Sequence, residues 1–275
     1  MSPGAAARCH VYANMSRRLR PRRAAIQSHW TLTVAPAWEA AFGDPDAARE
    51  FVCRPGSLIQ ENERGTVSVV RLGDALLVVK RSRIQERRRW IQLHSLYRGG
   101  EGSRAFRNLA RLRDAGLRVP EPVFALDESR LGFIVASWHV YRHLEGEACT
   151  CADAPLIART LKRLHDAGWV HRDPHVRNFL KLGGEAGIID CAKARPWRSG
   201  YARRYDVVLL NKCCPGAREF YPGLVASDPV YILAQRHNDW MVRWRRIKRA
   251  VRGWLGVRGD SRSTSISIDD PGGGV

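Results

Sequence analysis

The sequence predicts an α+β fold of two lobes: a small N-terminal lobe built on an antiparallel sheet and a larger, mainly helical C-terminal lobe. Two observations support this fold class. In the first half of the chain, an apolar strand pattern at Leu76–Val79 ends in Lys80. In the second half, apolar residues recur at helical spacing between Leu156 and Leu164, Gly168 follows as a stop signal, and short apolar segments flank a turn at Gly183-Gly184. With 275 residues, the chain can form one two-lobed domain with a sizeable core.

A polar motif follows the predicted helix. Residues 171–178 read His-Arg-Asp-Pro-His-Val-Arg-Asn, and Asp190 comes twelve residues later, behind a short apolar strand. This is the active-site spacing of protein-kinase-like phosphotransferases. Phosphoryl transfer from ATP needs a carboxylate at the acceptor hydroxyl, which predicts a catalytic role for Asp173. It also needs oxygen ligands for Mg²⁺, which predicts a metal site at Asn178 and Asp190. The motif therefore predicts a protein-kinase-like bilobal fold with ATP and Mg²⁺ as cofactors in the cleft.

The N-lobe half of this predicted site is less complete. Lys80 lies at the end of its strand, where a kinase places the lysine that binds the ATP phosphates. Gly65 lies in the slot of the glycine-rich loop and is also predicted to contact the nucleotide, although a single glycine there carries little weight. The next predicted helix includes Ser103–Leu109, and its nearest acids are Glu101, before it, and Asp114, near its end. The acidic partner of Lys80 therefore stays open.

The motif also departs from that of protein kinases acting on polypeptides. Asp190 is followed by Cys191-Ala192, and residues 191–275 leave little chain for a full peptide-binding platform. His175 stands where the catalytic loop usually has a lysine. Arg177 is a candidate to supply the missing positive charge at the transferred phosphate. A solvated loop arginine is the equally open alternative.

With these motifs, the chain resembles the lipopolysaccharide core kinases of Gram-negative bacteria, which phosphorylate heptose or Kdo in the inner core. The resemblance covers roughly residues 55–215 and is carried by four passages: Lys80–Trp90, Gly102–Pro122, Leu164–Phe179 and Ile189–Asp206. It implies an anionic glycolipid acceptor at the cytoplasmic face of the inner membrane. It also implies that Asp206 braces the catalytic loop from the following helix.

Composition narrows the class of partner. Lys and Arg number 46 against 27 acids, a net charge of +19, which indicates an anionic partner such as nucleic acid, anionic membrane or phosphorylated glycolipid. No recognisable nucleic-acid module accompanies the charge, so we expect no nucleic acid. No apolar run reaches the ~18 residues that span a bilayer. Seven cysteines without Cys-x-x-Cys spacing predict reduced thiols and a cytoplasmic protein.

The predicted organisation has four parts. Residues 1–49 form an N-terminal extension, basic and disordered at its start, or Met15 is the true start. Residues 50–140 form the N-lobe and residues 141–257 the C-lobe, while residues 258–275 form a disordered tail rich in Ser, Asp and Gly.

The C-lobe is predicted to end in a basic amphipathic helix. Its apolar residues step by four, three, four and three positions: Trp240, Trp244, Ile247, Val251 and Trp254. Basic residues fill the other faces. Such a helix suits either peripheral contact with an anionic membrane or packing as a final C-lobe helix, and both interpretations stay open.

These observations predict an ATP-dependent phosphotransferase acting on a sugar hydroxyl, heptose or Kdo, of the lipopolysaccharide inner core. The basic run Arg81–Arg98 is a candidate site for acceptor phosphates or carboxylates. Two alternatives stay open. One is a bacterial protein Ser/Thr kinase. The other is a pseudokinase that binds anionic lipid, favoured by the single loop glycine and opposed by the retention of Asp173, Asn178 and Asp190.

Overall fold

The structure of the protein, a computed structural model, describes residues 28–62, 65–82 and 99–254. The predicted disordered tail at 258–275, the start of the N-terminal extension and most of the basic run Arg81–Arg98 lie outside the described residues. Within them, the chain forms the predicted α+β fold of two lobes, a small lobe with an antiparallel sheet and a larger helical lobe.

The N-lobe is built on one antiparallel sheet. Its strands in the described residues are β1 His29–Val34, β2 Ser57–Asn62, β3 Gly65–Leu72, β4 Ala75–Ser82, β5 Pro122–Arg130 and β6 Phe133–Arg142. Their order is β1-β5-β6-β4-β3-β2, and every pairing is antiparallel. In the part of the lobe that the structure describes, three α-helices accompany the sheet: α1 Glu39–Phe42, α2 Pro45–Val52 and α3 Glu101–Asp114. The predicted strand ending in Lys80 and the predicted helix after Glu101 are thus both present.

The N-lobe begins earlier in the chain than the predicted boundary at residue 50. Strand β1 pairs with β5 along the edge of the sheet. Helices α1 and α2 then place Phe42 and Phe51 against Phe124, with ring centroids 4.7 Å and 6.2 Å from it. Because these aromatic side chains are almost fully buried, residues 29–52 belong to the lobe. They are not an extension to it.

Strand β4 has core on both of its faces. Leu77 and Val79 pack in the N-lobe core with Phe124, whereas Val78 belongs to the core shared with the C-lobe. Side chains alternate between the two faces of a strand. Lys80 is therefore on the Val78 face and points toward the C-lobe.

The C-lobe is mainly helical, with short strands around the predicted motif. Its elements are β7 Glu147–Ala148, α4 Ala154–Asp166, β8 Trp169–Val170, β9 Phe179–Leu182, β10 Glu185–Ile188, β11 Arg195–Pro196, α5 Gly200–Cys213 and α6 Pro229–Trp254. Ile157, Leu161 and Leu164 on α4 are fully buried and pack in one core with Phe179 and Val207. The predicted sequence of helix, loop and hairpin is confirmed.

Helix α6 differs along its length. Tyr231 and Ala234 near its start are buried, whereas Trp240, Trp244 and later apolar residues are exposed. The alternative in which this stripe packs on the C-lobe is therefore wrong for the side chains that the structure describes. In that part of the chain, no helix is both long enough and apolar enough to cross a bilayer.

Candidate active site

All six predicted site residues line one cavity of about 220 Å³ between the lobes: Gly65, Lys80, Asp173, Arg177, Asn178 and Asp190. Lys80 and Gly65 come from the N-lobe sheet, and the other four come from the loop after β8 and the end of the β9–β10 hairpin. The fold thus brings together residues that lie up to 125 positions apart, from 65 to 190.

The catalytic loop is held by short hydrogen bonds of its own. The side-chain amide of Asn178 donates to the carbonyl oxygen of Asp173 at 2.8 Å. The backbone N–H of Ile189 donates to the carbonyl oxygen of Asn178 at 3.0 Å, which ties the loop to the strand before Asp190. Asn178 therefore fixes the backbone at Asp173 with its N–H₂ group and keeps its side-chain oxygen for another ligand.

Asp206 on α5 holds the same loop through hydrogen bonds to its backbone, as the resemblance implies. Its carboxylate is buried and accepts the backbone N–H groups of His171, at 2.6 Å, and Arg172, at 2.8 Å. Arg172 has a φ of +67°, a conformation that non-glycine residues seldom adopt, and the two hydrogen bonds hold it there. His165 Nε2 lies 3.1 Å from the same carboxylate, and its Nδ1 lies 2.7 Å from the hydroxyl of Tyr221.

His171 itself faces the interior. Its ring packs against Phe179, with centroids 5.6 Å apart, and no described residue lies within hydrogen-bond distance of either ring nitrogen. Burial lowers the pKa of His171, although the Asp206 carboxylate acts in the opposite direction. The side chain is therefore a neutral packing group and not an acid or base of the reaction.

The partner of Lys80 is Asp190. Lys80 Nζ donates to Asp190 Oδ2 at 2.8 Å, which joins the two lobes across the cleft. Burial alone would raise the pKa of Asp190, but the charge and hydrogen bond of Lys80, together with the hydrogen bond from the backbone N–H of Ala192, lower the pKa by more than burial raises it. His139 on β6 lies beside this pair, opposite Lys80. Burial and the positive charge of Lys80 lower the pKa of His139 to about 3. The cleft thus holds a charged carboxylate next to a neutral imidazole.

Glu101 also lines the cleft, at the start of α3, and accepts the hydroxyl of Ser82 at 2.5 Å. The start of α3 is fixed by a buried polar network. Asp127 accepts hydrogen bonds from Gly100 N, Ser103 Oγ and Ser137 Oγ at 2.5–3.0 Å. Glu101 therefore reaches the cleft from a rigid helix end. Its described partner there is Ser82, whereas Lys80 bonds to Asp190.

Gly65 has a steric reason to be glycine. A Cβ at this position would stand 2.2 Å from the carbonyl oxygen of Arg81 on the neighbouring strand β4. The close approach of two strands is therefore enough to explain this glycine, and its predicted contact with the nucleotide stays a prediction. The neighbouring residues 63 and 64 of the glycine-loop slot lie outside the described residues.

The positive charge nearest to Asp173 comes from Lys193. Lys193 Nζ donates to Asp173 Oδ2 at 2.5 Å, and both side chains are about half exposed. Arg177 lines the cavity, but its Nε lies 3.5 Å from His175 Nδ1, which is at the limit of a hydrogen bond. Lys193 is therefore a second candidate, beside Arg177, for the positive charge at the transferred phosphate, and the role predicted for Arg177 stays a prediction.

Asn178 and Asp190 form a donor set that suits Mg²⁺. Both offer oxygen atoms, and Mg²⁺ commonly takes one or two protein oxygens together with phosphates and water. Among the described residues, no cluster of three or more His, Cys, Asp or Glu side chains could hold a metal on protein ligands alone. The pair therefore fits a metal that arrives with a nucleotide.

Comparison with known proteins finds a family model that is similar to part of this chain. Residues 100–212 match the model of the Lipopolysaccharide kinase (Kdo/WaaP) family. Through this segment, the chain is similar to the lipopolysaccharide kinase family. The matched segment contains Asp173, Asn178, Asp190 and Asp206, whereas Lys80 and Gly65 precede it.

Two further similarities were found. The lipopolysaccharide core heptose(II) kinase WaaY of Escherichia coli (strain K12) is 28% identical over 130 residues, which are 45% of this chain and 55% of that protein. The chain therefore spans about half the length of this curated relative. A solved structure described as WaaP in complex with acyl carrier protein covers 79% of this chain and 97% of its own, with 18% identity and a TM-score of 0.46.

Three residues of this candidate site were not singled out as site residues in the sequence. Lys193 falls in a segment that carries the family resemblance, and its place three residues after Asp190 is the available signal. Asp127 and His139 lie on strands and reach the site through pairing with distant segments, from α3 and from β4. No spacing within the sequence indicates either contact.

Proposed function

We propose that this protein is an ATP-dependent phosphotransferase that phosphorylates a sugar hydroxyl of the lipopolysaccharide inner core. The observation that carries the proposal is the convergence of Lys80, Asp173, Asn178 and Asp190 on one cavity between the lobes. A protein that only bound a ligand would have no need of a base, a phosphate-binding lysine and two metal ligands together. Their joint presence supports turnover over the pseudokinase alternative.

Each residue has a place in the reaction. Asp173 accepts the proton of the acceptor hydroxyl as that oxygen attacks the γ-phosphorus of ATP. Lys80 binds the phosphates of ATP, and Asp190 holds it in place across the cleft. Asn178 and Asp190 would hold Mg²⁺, which would neutralise charge on the phosphate oxygens. Asn178 at the same time keeps the backbone of Asp173 in position.

Lys193 supplies a positive charge at the reacting end of the cleft. The usual lysine of the catalytic loop is replaced by His175, and Lys193 reaches Asp173 from the segment after Asp190. In the resting enzyme it pairs with the carboxylate. During transfer it can move to the phosphate oxygens, because Lys193 and Asp173 both line the cavity in which we propose that ATP binds.

The acceptor that we propose is a heptose of the inner core, with Kdo as the second candidate. The net charge of +19 favours an anionic glycolipid over a neutral sugar. Heptose comes first because the relative WaaY is described as a core heptose(II) kinase.

The test is transfer of labelled phosphate from ATP to purified core glycolipids truncated at defined sugars. We expect label in glycolipids that retain the inner-core heptoses and none in those that end at Kdo. Label in the Kdo-terminated glycolipid would make Kdo the acceptor. Label in polypeptide alone would favour a protein kinase, and ATP binding without transfer to any acceptor would favour a pseudokinase.

A further inference from the structure

The second half of helix α6 presents a row of apolar side chains to solvent. Trp240 is 58% exposed, Trp244 is 52% exposed, Ile247 is 55% exposed and Val251 is 47% exposed. Their spacing of four, three and four residues places them on one face of the helix. Large apolar side chains that are exposed singly need no explanation, but a continuous row of this kind indicates an interaction surface.

This row starts beside a partly exposed aromatic cluster that connects α6 to α5. Trp240 and Trp244 stack with ring planes 8° apart and centroids separated by 6.3 Å. His237 stacks on Trp240 at 6.2 Å, and its Nδ1 meets the hydroxyl of Tyr201, on α5, at 2.5 Å. The row is therefore fixed to the C-lobe and presents its apolar face in a defined direction.

The helix has separate faces for folding and for the exposed row. Tyr231, Ala234 and Asn238 are buried and anchor its first half. Taking 100° per residue, these three lie on the side of the helix away from Trp240 and Trp244. The residues that anchor α6 therefore lie on one side of the helix, and the apolar row on the other side stays exposed.

The same half of the helix is strongly basic. Six of the fifteen residues from 240 to 254 are Lys or Arg and none is acidic. The basic side chains that the structure describes are all exposed: Arg243, Arg245, Arg246, Lys248 and Arg249. Three of the four central ones, Arg245, Arg246 and Arg249, lie on the side away from the apolar row, and Lys248 flanks it, so the helix has the amphipathic pattern of an interfacial helix.

We propose that the exposed half of α6 docks the protein on the surface of an anionic lipid bilayer. Trp240 and Trp244 would enter the interface, where an aromatic ring with a polar N–H is best accommodated. The flanking Arg and Lys side chains would meet the lipid phosphates. A second copy of this chain is a poorer occupant, because it would bring an equally basic helix against this one. The proposal stands apart from the proposed function, since it needs neither ATP nor an acceptor.

The test is binding of the full chain to vesicles of neutral phosphatidylcholine alone or with about one-third phosphatidylglycerol, followed by co-sedimentation and tryptophan emission. We expect binding to the anionic vesicles, a blue shift of the emission, and loss of binding at high salt, because exposed charges are screened over ~8 Å at physiological ionic strength. Neutral vesicles should bind little.

Two variants and two matched controls separate docking from general charge and apolarity. Replacing Arg245, Arg246, Lys248 and Arg249 with Gln should weaken binding roughly 100-fold or more, since each basic residue contributes near an anionic surface. The control replaces four exposed arginines elsewhere with Gln and changes the net charge equally: Arg71, Arg111, Arg113 and Arg159. Trp244→Ser with Ile247→Ser should remove the emission shift, whereas Leu58→Ser with Ile59→Ser, equally exposed on β2, should not.

The thermal midpoint of each variant is measured alongside. We expect it to change little in the α6 variants, because the replaced side chains are exposed. Equal loss of vesicle binding in the α6 variants and their controls would overturn the proposal. So would a tryptophan emission that is already blue-shifted without vesicles and unchanged by them, which would mean that another part of the chain or a second copy covers the row. Binding to an acidic protein or to nucleic acid, with none to vesicles, would also overturn it.

Discussion

The two halves of the active site are positioned in different ways. In the C-lobe half, Asp173 and Asn178 lie on one loop, bond to each other, and are braced by the buried Asp206. In the N-lobe half, Lys80 and Glu101 lie on a strand and on a helix end, and Lys80 reaches the C-lobe through Asp190. The first half is therefore assembled by local hydrogen bonds, and the second by packing between distant segments. We expect mutations to affect chemistry or local stability in the first half, and coupling between the lobes in the second.

The largest effect should come from Asp173→Ala. Loss of a general base typically costs on the order of 10²–10⁴ in rate. Because the Asp173 side chain is half exposed, the fold and ATP binding should survive. Turnover and ATP affinity are measured together, with Asp166→Ala on the exposed end of α4 as a control. Turnover close to that of the unmodified enzyme would remove Asp173 from the mechanism.

The next largest effect should come from Asp206→Ala, and it should appear first in stability. The variant leaves the buried N–H of His171, the partly buried N–H of Arg172 and the buried His165 ring without their acceptor. Each such group costs ~1–3 kcal/mol, so the free energy of unfolding should fall by about 3 kcal/mol or more. Urea unfolding measures this loss. If stability were unchanged while activity fell, Asp206 would act in the chemistry and not as a brace.

The comparison of Lys193→Met with Arg177→Met identifies the cation of the reacting phosphate. A charged hydrogen bond is worth ~1.5–3 kcal/mol, so Lys193→Met should lower kcat by roughly 10- to 100-fold. Arg177→Met should have a smaller effect, because the one side-chain contact described for Arg177 is a weak contact with His175. A larger loss of kcat in Arg177→Met than in Lys193→Met would reverse the assignment.

A smaller effect concerns pH and His171. Its pKa is lowered in the folded protein, so below about pH 6.5 the unfolded chain binds a proton that the folded chain does not. Stability should therefore fall as the pH drops below that value, with a slope of up to about 1.4 kcal/mol per pH unit from this residue.

His171→Phe removes this contribution and keeps the packing on Phe179. The slope of unfolding free energy between pH 7.5 and 5.5 should decrease in this variant, while the exposed His29→Phe should leave it unchanged. An unchanged slope in His171→Phe would mean that the ring takes up its proton in the folded protein.

The same contrast explains what could be predicted from the sequence. The C-lobe half was predictable because its determining contacts are short in sequence: Asn178 bonds to Asp173 five residues away, and the flanking helix and hairpin carry clear periodicity. The role of Asp206 came from the family resemblance, since its contacts span about 35 residues. Both parts rest on a pattern that can be read along the chain.

The N-lobe half was predictable only in part. Lys80 was recognised from its strand, but its bond to Asp190 joins residues 110 positions apart, and no spacing indicates such a contact. The place of β1 at the sheet edge depends on pairing with β5, about 100 residues later. The sequence could assign Gly65 to the position of the glycine-rich loop. The steric requirement for glycine there, however, comes from the backbone of Arg81 on another strand.

The central claim is that both halves meet to bind a nucleotide with its metal. The most direct measurement is ATP affinity as a function of Mg²⁺ concentration, in the unmodified protein and in Asp190→Asn and Asn178→Ala, with Asp166→Asn as control. We predict that Mg²⁺ strengthens ATP binding in the unmodified protein and the control. In both site variants, this dependence should be weakened, and most strongly in Asp190→Asn, which also loses its charged contact with Lys80. ATP affinity that does not respond to Mg²⁺, or that responds equally in all four proteins, would contradict the account.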